Sequence, residues 1–478
     1  MELVNMNAKY PGGKQLFRHF HLSIQQREKV LIIGPSGCGK STLLQILCGL
    51  IPNVLDVPLL AEKHEVPDSW GYVFQDPDTQ FCMPYVDEEL AFVLENLAVP
   101  RENMRARMMD LLEMVGLQGL NLRTKIQELS GGMKQRLAIA SVLAMEPDVL
   151  FLDEPTALLD PVGTMEVWDI LKKVCRDKTV IIVEHKIEQL EGFSDRVIVL
   201  NEEGQIMADA TPADVFQQER PLLKKYGVWY PGAWRDYLSE RGTPLNNDSS
   251  PEVVLHATDF SGFRGRERKI TVPEVTVSKG EWIAITGENG AGKSTLLESF
   301  MKLLKTRGDL LLDGKKVKDV PSDVMTFVFQ NPEHQFVTKS VEEEIGYTLL
   351  QKKFSQEDIR LRIDELLSLF QLEHVRKQHP YQLSMGQKRR LSVAAAVVHR
   401  PKILLLDEPT FGQDSKNTFR MLEWLEKLRQ EGVAILMVTH DEQIVSSFAN
   451  TVWSIQDGRL VEIIENNRRS KSHAVGAI

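Results

Sequence analysis

Short apolar runs recur along the chain, each ending at a small or polar residue. KVLII runs into Gly34, DVLFL into Asp153 and TVIIV into Glu184; farther on, WIAIT runs into Gly287, KILLL into Asp407 and VAILMV into Thr439. Runs this short, rich in branched residues and without polar alternation, predict strands buried on both faces. A glycine-rich turn and an apolar-periodic segment follow the first run of each set: STLLQILCGL in one, STLLESFMKLL in the other. Two further stretches, MRARMMDLLEMVGLQGL at 104–120 and EDIRLRIDELLSLFQLEHV at 357–375, carry apolar residues three and four apart and predict amphipathic helices. The pattern is an α/β one: a mostly parallel sheet core covered by helices, with a helical subdomain inserted.

The pattern is written twice. GPSGCGKSTLL at 34–44 returns as GENGAGKSTLL at 287–297, and VFQDPDTQF at 73–81 as VFQNPEHQF at 328–336. LSGGMKQRLAIA at 129–140 returns as LSMGQKRRLSVA at 383–394, VLFLDEPT at 149–156 as ILLLDEPT at 403–410, and IIVEHK at 181–186 as LMVTHD at 436–441. The pairs Lys40/Lys293, Gln75/Gln330, Ser130/Ser384, Asp153/Asp407 and His185/His440 keep an offset of 253–255 residues, so the chain is a tandem duplication. Gly, Pro, Asn and Ser accumulate towards the end of 231–253 and suggest a connector. The expected division is a first domain at 1–229, a linker at 230–252, a second domain at 253–465 and a polar tail at 466–478.

Composition narrows the function. At 478 residues, with 42% hydrophobic and 26% charged residues, the chain has material for folded cores. A net charge of -10 argues against a protein whose whole surface is basic and made for nucleic acid. The four cysteines, Cys38, Cys48, Cys82 and Cys175, form no CxxC pair, which argues against a zinc site or a disulfide framework and for reduced thiols. The first residues lack a signal-peptide pattern, and no run of 18 apolar residues occurs, so a role at a membrane needs a spanning partner.

The candidate chemistry is phosphate chemistry. Gly34, Pro35, Ser36, Gly37, Cys38, Gly39, Lys40, Ser41 and Thr42 form a complete P-loop, as do Gly287, Glu288, Asn289, Gly290, Ala291, Gly292, Lys293, Ser294 and Thr295. Glycines let backbone N–H groups turn towards phosphate, and the following helix N-terminus adds donors and a favourable dipole. Lys40 and Lys293 are placed for the β- and γ-phosphates, and Ser41 and Ser294 for magnesium. Asp153 and Asp407 end buried strands, as a Walker B magnesium carboxylate must, and Glu154 and Glu408 follow as candidates to polarise the attacking water. His185 and His440 follow the next strand and can meet the γ-phosphate edge.

These blocks resemble the ABC transporter ATPase family over both domains, and LSGGM and LSMGQ before a basic helix are the most specific part. The resemblance implies ATP with Mg2+ as cofactors and head-to-tail pairing of the two ATPase domains within the chain. It implies that Tyr10 and Phe263 stack on adenine, and that Gln75 and Gln330 sense both magnesium and the transporter. Ser130, Gly131 and Gly132, and Ser384 and Gly386, would close on γ-phosphate from the opposite domain, with Asp160 and Asp414 as the D-loop aspartates. The D-loop flanks ALLD and FGQD depart from the commoner SALD.

FQDPDTQF and FQNPEHQF, followed by VDEELAF and VEEEIGY, resemble the energy-coupling-factor (ECF) branch. That branch implies a transmembrane coupling protein, a membrane substrate-binding protein and a peripheral place on the cytoplasmic face of the cell membrane. Two fused halves of this size resemble the tandem form serving hydroxymethylpyrimidine or thiamine uptake; cobalt, nickel, biotin, riboflavin and folate stay open. The other readings are a soluble ABC protein acting on ribosomes or DNA, and a sugar-importer ATPase with fused halves.

Overall fold

A computed structural model describes residues 1–10, 15–157, 159–185, 187–241 and 252–466. Most of the sequence-assigned tail, and 242–251 of the linker, lie outside the described residues. The expected core is present in both halves. In the first, Lys29–Ile33 lies between Arg196–Leu200 and Thr179–Val183, and Val149–Asp153 and Trp70–Val73 continue the sheet in parallel. In the second, Trp282–Thr286 lies between Thr451–Gln456 and Ala434–Val438, followed by Ile403–Asp407 and Met325–Val328.

Burial explains the unbroken apolar runs. Val30 and Ile32 enter one core while Leu31 and Ile33 enter another on the opposite face. Ile283 and Ile285 are likewise separated from Trp282 and Ala284. Because these strands run parallel, the carboxyl ends of Lys29–Ile33 and Val149–Asp153 emerge on one side of the sheet, where ligands meet folds of this kind. The second half repeats the arrangement with Trp282–Thr286 and Ile403–Asp407.

Each half also carries an antiparallel layer that the apolar runs did not forecast. Glu2–Lys9 pairs with Gln15–Ser23, and Val253–Arg264 pairs with Glu267–Ser278 and Lys305–Leu312. Register shifts and left-handed residues, Asn5 at φ 50°, His19 at φ 46° and Asp259 at φ 47°, interrupt the two-residue alternation that would have marked these strands. The inserted helices are shorter than their apolar periodicity. One runs Arg101–Met114 and stops before Gly116 at φ 68°; the other runs Gln356–Leu369 and stops before Gln371 at φ 54°. Among the described residues no helix is long and apolar enough to cross a membrane.

Residue contacts divide the chain into two units. One is Met1–Ala233 together with Asp414–Lys416, and the other begins at Trp234. The stretch assigned to the linker from composition contains a helix, Ala233–Glu240. In the second unit Tyr237 stacks on Phe419 with centroids 4.0 Å apart, and Trp234 meets the same ring edge-on at 5.0 Å. Arg241 covers the Phe448 ring at 4.1 Å. Aromatic burial therefore orders residues whose neighbours in sequence are turn-forming.

Y237A is expected to cost this unit about 3 kcal/mol, the usual scale for truncating a buried aromatic. Y237F should cost nothing or stabilise, because the buried Tyr237 hydroxyl has no hydrogen-bond partner among the described residues. Urea unfolding of the three proteins reads both effects; equal midpoints for Y237A and the parent would show that the helix contributes no stability.

Candidate functional site

The glycine-rich loop of the first half turns through Gly37 at φ 83° and Gly39 at φ 100°, where a side chain would be strained, and enters the helix Lys40–Leu47. Lys40 is buried at the helix start, and its Nζ donates to the carbonyls of Gly34 at 2.8 Å and Pro35 at 3.0 Å. The second loop repeats this: Gly290 and Gly292 lie at φ 82° and 106°, and Lys293 donates to Gly287 at 2.7 Å and Glu288 at 2.8 Å. Thr42, Thr295, Cys38 and Ala291 are buried, while Glu288 and Asn289 are exposed. The Ser36 Oγ is buried with no hydrogen-bond partner among the described residues.

Behind the first loop, Ser41 Oγ donates to Asp153 Oδ1 at 2.8 Å and Tyr72 OH donates to Asp153 Oδ2 at 2.9 Å. Burial, helped by the neighbouring charge of Glu154, pushes the Asp153 carboxyl up to about 6, against the hydrogen bonds from Ser41 and Tyr72. Glu154 sits at φ 47° and gathers the remaining groups: Gln75 Nε2 donates to its Oε2 at 2.8 Å, and His185 Nε2 lies 3.1 Å from its Oε1. Burial opposes the charge on Glu154, but the His185 and Lys40 charges and the His185 hydrogen bond hold its carboxyl below the usual range. Lys40, Ser41, Gln75, Asp153, Glu154 and His185 thus converge in the first half.

The second half keeps the plan with different details. Glu408 is at φ 50° and His440 Nε2 lies 3.4 Å from its Oε1, while Gln330 is exposed. Burial raises the Asp407 carboxyl, with a hydrogen bond from Ser294 and the charges of Arg389 and Lys293 acting against it. Phe327 stands where the first half has Tyr72, and Asp407 Oδ1 is buried without a hydrogen-bond partner among the described residues. A hard divalent cation, or a water bound to it, fits such an oxygen. Ser41, Asp153 and Gln75, and Ser294, Asp407 and Gln330, are the oxygen donors that would hold Mg2+, where it would neutralise phosphate charge.

The other expected residues are placed as follows. Tyr10 is exposed and its hydroxyl shares a hydrogen bond with Thr42 Oγ1 at 2.9 Å, while the Arg307 guanidinium lies 5.2 Å from the Phe263 ring centroid. Ser130 and Ser384 cap helices that begin at Gly131 and Met385, their hydroxyls accepting from the N–H groups of Met133 and Gln387. Gly132 and Gly386 lie in the first turns of those helices. Asp160 caps Pro161–Val174 through the Gly163 N–H at 2.7 Å, and Asp414 precedes Ser415–Gln430. Tyr72 and Arg389 were missed as site residues; aligning the copies was the available signal, because each differs between the halves beside groups that do not.

An ammonium inside a glycine-rich loop, with a hydroxyl and a strand-end carboxylate behind it, defines a P-loop nucleoside triphosphatase, here built twice. The family model described as ABC transporter matches residues 17–157 and 271–411, and the chain belongs to that family of ATP-hydrolysing, ATP-binding cassette proteins. A protein of Bacillus subtilis (strain 168), provisionally named HMP/thiamine import ATP-binding protein YkoD, is 38% identical over 93% of this chain and 87% of its own length. An ABC transporter ATP-binding protein of Methanosarcina acetivorans, also provisionally named, is 33% identical over 96% of this chain and 84% of its own. In fold, the chain is similar to the archaeal ribosome recycling factor aABCE1, solved in complex with ribosomal stalk protein aP1. That likeness has a TM-score of 0.65 at 20% identity, covering 96% of this chain and 90% of the other.

Proposed function

We propose that this chain is the ATP-hydrolysing subunit of an ECF-type importer, coupling ATP to uptake of a vitamin, vitamin precursor or metal ion. Its partners are a transmembrane coupling protein and a membrane substrate-binding protein, and it works peripherally on the cytoplasmic face of the membrane. The observation carrying this reading is the 38% identity, over nearly the whole chain, to a relative named for HMP/thiamine import. The paired FQDPDTQF and FQNPEHQF segments support the ECF branch. ATP and Mg2+ serve each P-loop, Glu154 and Glu408 polarise water, and His185 and His440 attend the γ-phosphate; the two ATPase domains pair within one chain.

The test is to express the tagged full chain with its neighbouring genes and purify it from detergent-solubilised membranes. Recovery of a defined multi-helix membrane protein, with ATP-dependent uptake of thiamine or hydroxymethylpyrimidine in vesicles made from the complex, is the expected result. Uptake of another vitamin or metal ion instead would correct the substrate alone. Association with ribosomes and no membrane partner would overturn the importer reading in favour of the activity named for aABCE1.

A further inference from the structure

The two halves share every P-loop lysine, magnesium hydroxyl, strand-end aspartate, glutamate and histidine, yet the buried groups behind these differ. Gln135 and Arg389 hold equivalent places on the signature helices. Gln135 Nε2 donates to the carbonyl of Phe74 at 3.4 Å, and Arg389 Nη1 donates to the carbonyl of Phe329 at 2.9 Å, the same backbone position in the second copy. Gln135 is 2% exposed and Arg389 is 4% exposed. One position is therefore neutral and the other carries a buried cation. Burial pushes the Arg389 guanidinium down to about 10, against the pull of Glu408 and Asp407, and it stays cationic at neutral pH.

The second difference runs alongside. Tyr72 occupies Asp153 Oδ2 with a hydrogen bond, whereas Phe327 offers no hydroxyl to Asp407. The same carboxylate is thus steadied by a neutral donor in the first half and by a cation's field in the second. Glu184, buried in the first half where the second has Thr439, adds a negative charge on the first side and acts in the same direction; the acids that only the second half carries are directed elsewhere. Glu288, opposite Pro35, is exposed; Glu298, opposite Gln45, is paired with Arg264 at 2.7 Å; Asp441 is half-buried and spends its carboxylate capping the helix Glu442–Phe448. The basic residues Lys134 and Arg136 of the first signature helix recur as Lys388 and Arg390.

We infer that Arg389 is a positioning residue that makes nucleotide binding in the second half markedly less dependent on Mg2+ than in the first. A fixed buried cation attracts the polyphosphate whether or not a metal is present, and it lowers the attraction of Asp407 and Glu408 for a divalent ion. Both effects shrink the gain in nucleotide affinity that Mg2+ brings. The first half, with Gln135 in that place, lacks the fixed charge and leans on the metal. This inference is independent of the transported substrate; it rests on each P-loop binding ATP.

Calorimetric titration of the full chain with ATPγS, in EDTA and in excess Mg2+, tests it. K40A leaves the second site to be read and K293A the first. The ratio of the two dissociation constants should be roughly tenfold larger for the first site than for the second, the scale of one unit charge acting over several ångströms in a partly buried site. R389Q, which can keep the bond to Phe329 as Gln135 does to Phe74, should raise the second-site ratio to that of the first. Q135R should lower the first-site ratio, and R389K should retain the parent behaviour. Equal ratios at the two sites, or a difference that neither R389Q nor Q135R moves, would overturn the inference. Nucleotide binding that persists in K40A/K293A would instead overturn the P-loop assignment.

Discussion

K40A/K293A should hydrolyse ATP at least ~10³-fold more slowly than the parent, with little change in folding. Each ammonium lies inside its own loop, held by the carbonyls of Gly34 and Pro35 or of Gly287 and Glu288. Gly34 and Pro35 are buried while Gly287 is half-buried and Glu288 exposed, and truncating either lysine vacates the space its chain filled, where water can enter and serve the carbonyls it leaves. The transition state has no such substitute. As the γ-phosphoryl group loosens, charge spreads over its equatorial oxygens, and a charge-assisted bond aimed there strengthens while a water-mediated one does not. Phosphate release at saturating MgATP gives the rate, and far-UV circular dichroism with a melting curve checks the fold. Activity above a tenth of the parent's in the folded double variant would mean that the lysines only brace their loops.

The chemistry was the most legible part of this sequence, for a physical reason. A glycine-rich loop, a lysine and a strand-end acid have few substitutes, so the motifs stand out and the duplication prints them twice. Lys40, Ser41, Asp153, Glu154 and His185 were located by that logic, and the structure gathers them at the carboxyl ends of the parallel strands. The repeat that made the motifs visible also hid the differences between them. QRL and RRL within the two signature segments read as the same basic helix, although the first residue of each triplet, Gln135 or Arg389, is buried and turned to the carbonyl of Phe74 or Phe329. Tyr72 belongs to none of the motifs, because its hydroxyl gains meaning only once Asp153 is beside it.

The remaining differences are ones of local backbone. The antiparallel layers escaped notice because bulges at Asn5, His19 and Asp259 break the alternation, while the parallel strands are buried on both faces and need no alternation to be seen. Helices ended early at Gly116 and Gln371, where left-handed backbone wins over continuing apolar periodicity. The Ala233–Glu240 helix was masked by the glycines, prolines and asparagines around it, although Trp234 and Tyr237 were the sign of a packed element.

Without ligand, D153N should be more stable than the parent at neutral pH, by about 3 kcal/mol, and almost inactive at the first site. Burial together with the charge of Glu154 lifts the Asp153 carboxyl from an ordinary 3.8 to about 6. The folded protein therefore keeps a proton that the unfolded chain releases as pH rises between these values. Over that window the unfolded state binds fewer protons, so this group's contribution to stability falls as pH rises, and above about 6 the loss is complete. A difference of roughly two pKa units corresponds to the stated 3 kcal/mol. An amide of the same shape cannot ionise, and it can still meet Ser41 and Tyr72 after their hydroxyls reorient. In EDTA, D153N should melt roughly 5–10 °C above the parent at pH 7.5, and the gap should close as pH falls towards 4.

Saturating MgATP should reverse the order, because a ligand at free concentration L stabilises the folded state by RT ln(1 + L/Kd) and D153N, lacking the carboxylate that would serve the metal, has the weaker affinity. Turnover should fall by ~10²–10³ at the first site, the scale of losing one well-placed electrostatic contact. That site is read in a K293A background. The charge at Asp153 would then be a cost borne by the empty protein and recovered when the cation arrives. Equal melting of D153N and the parent across pH 4–7.5 without ligand would show that the pocket solvates this carboxylate as well as water does.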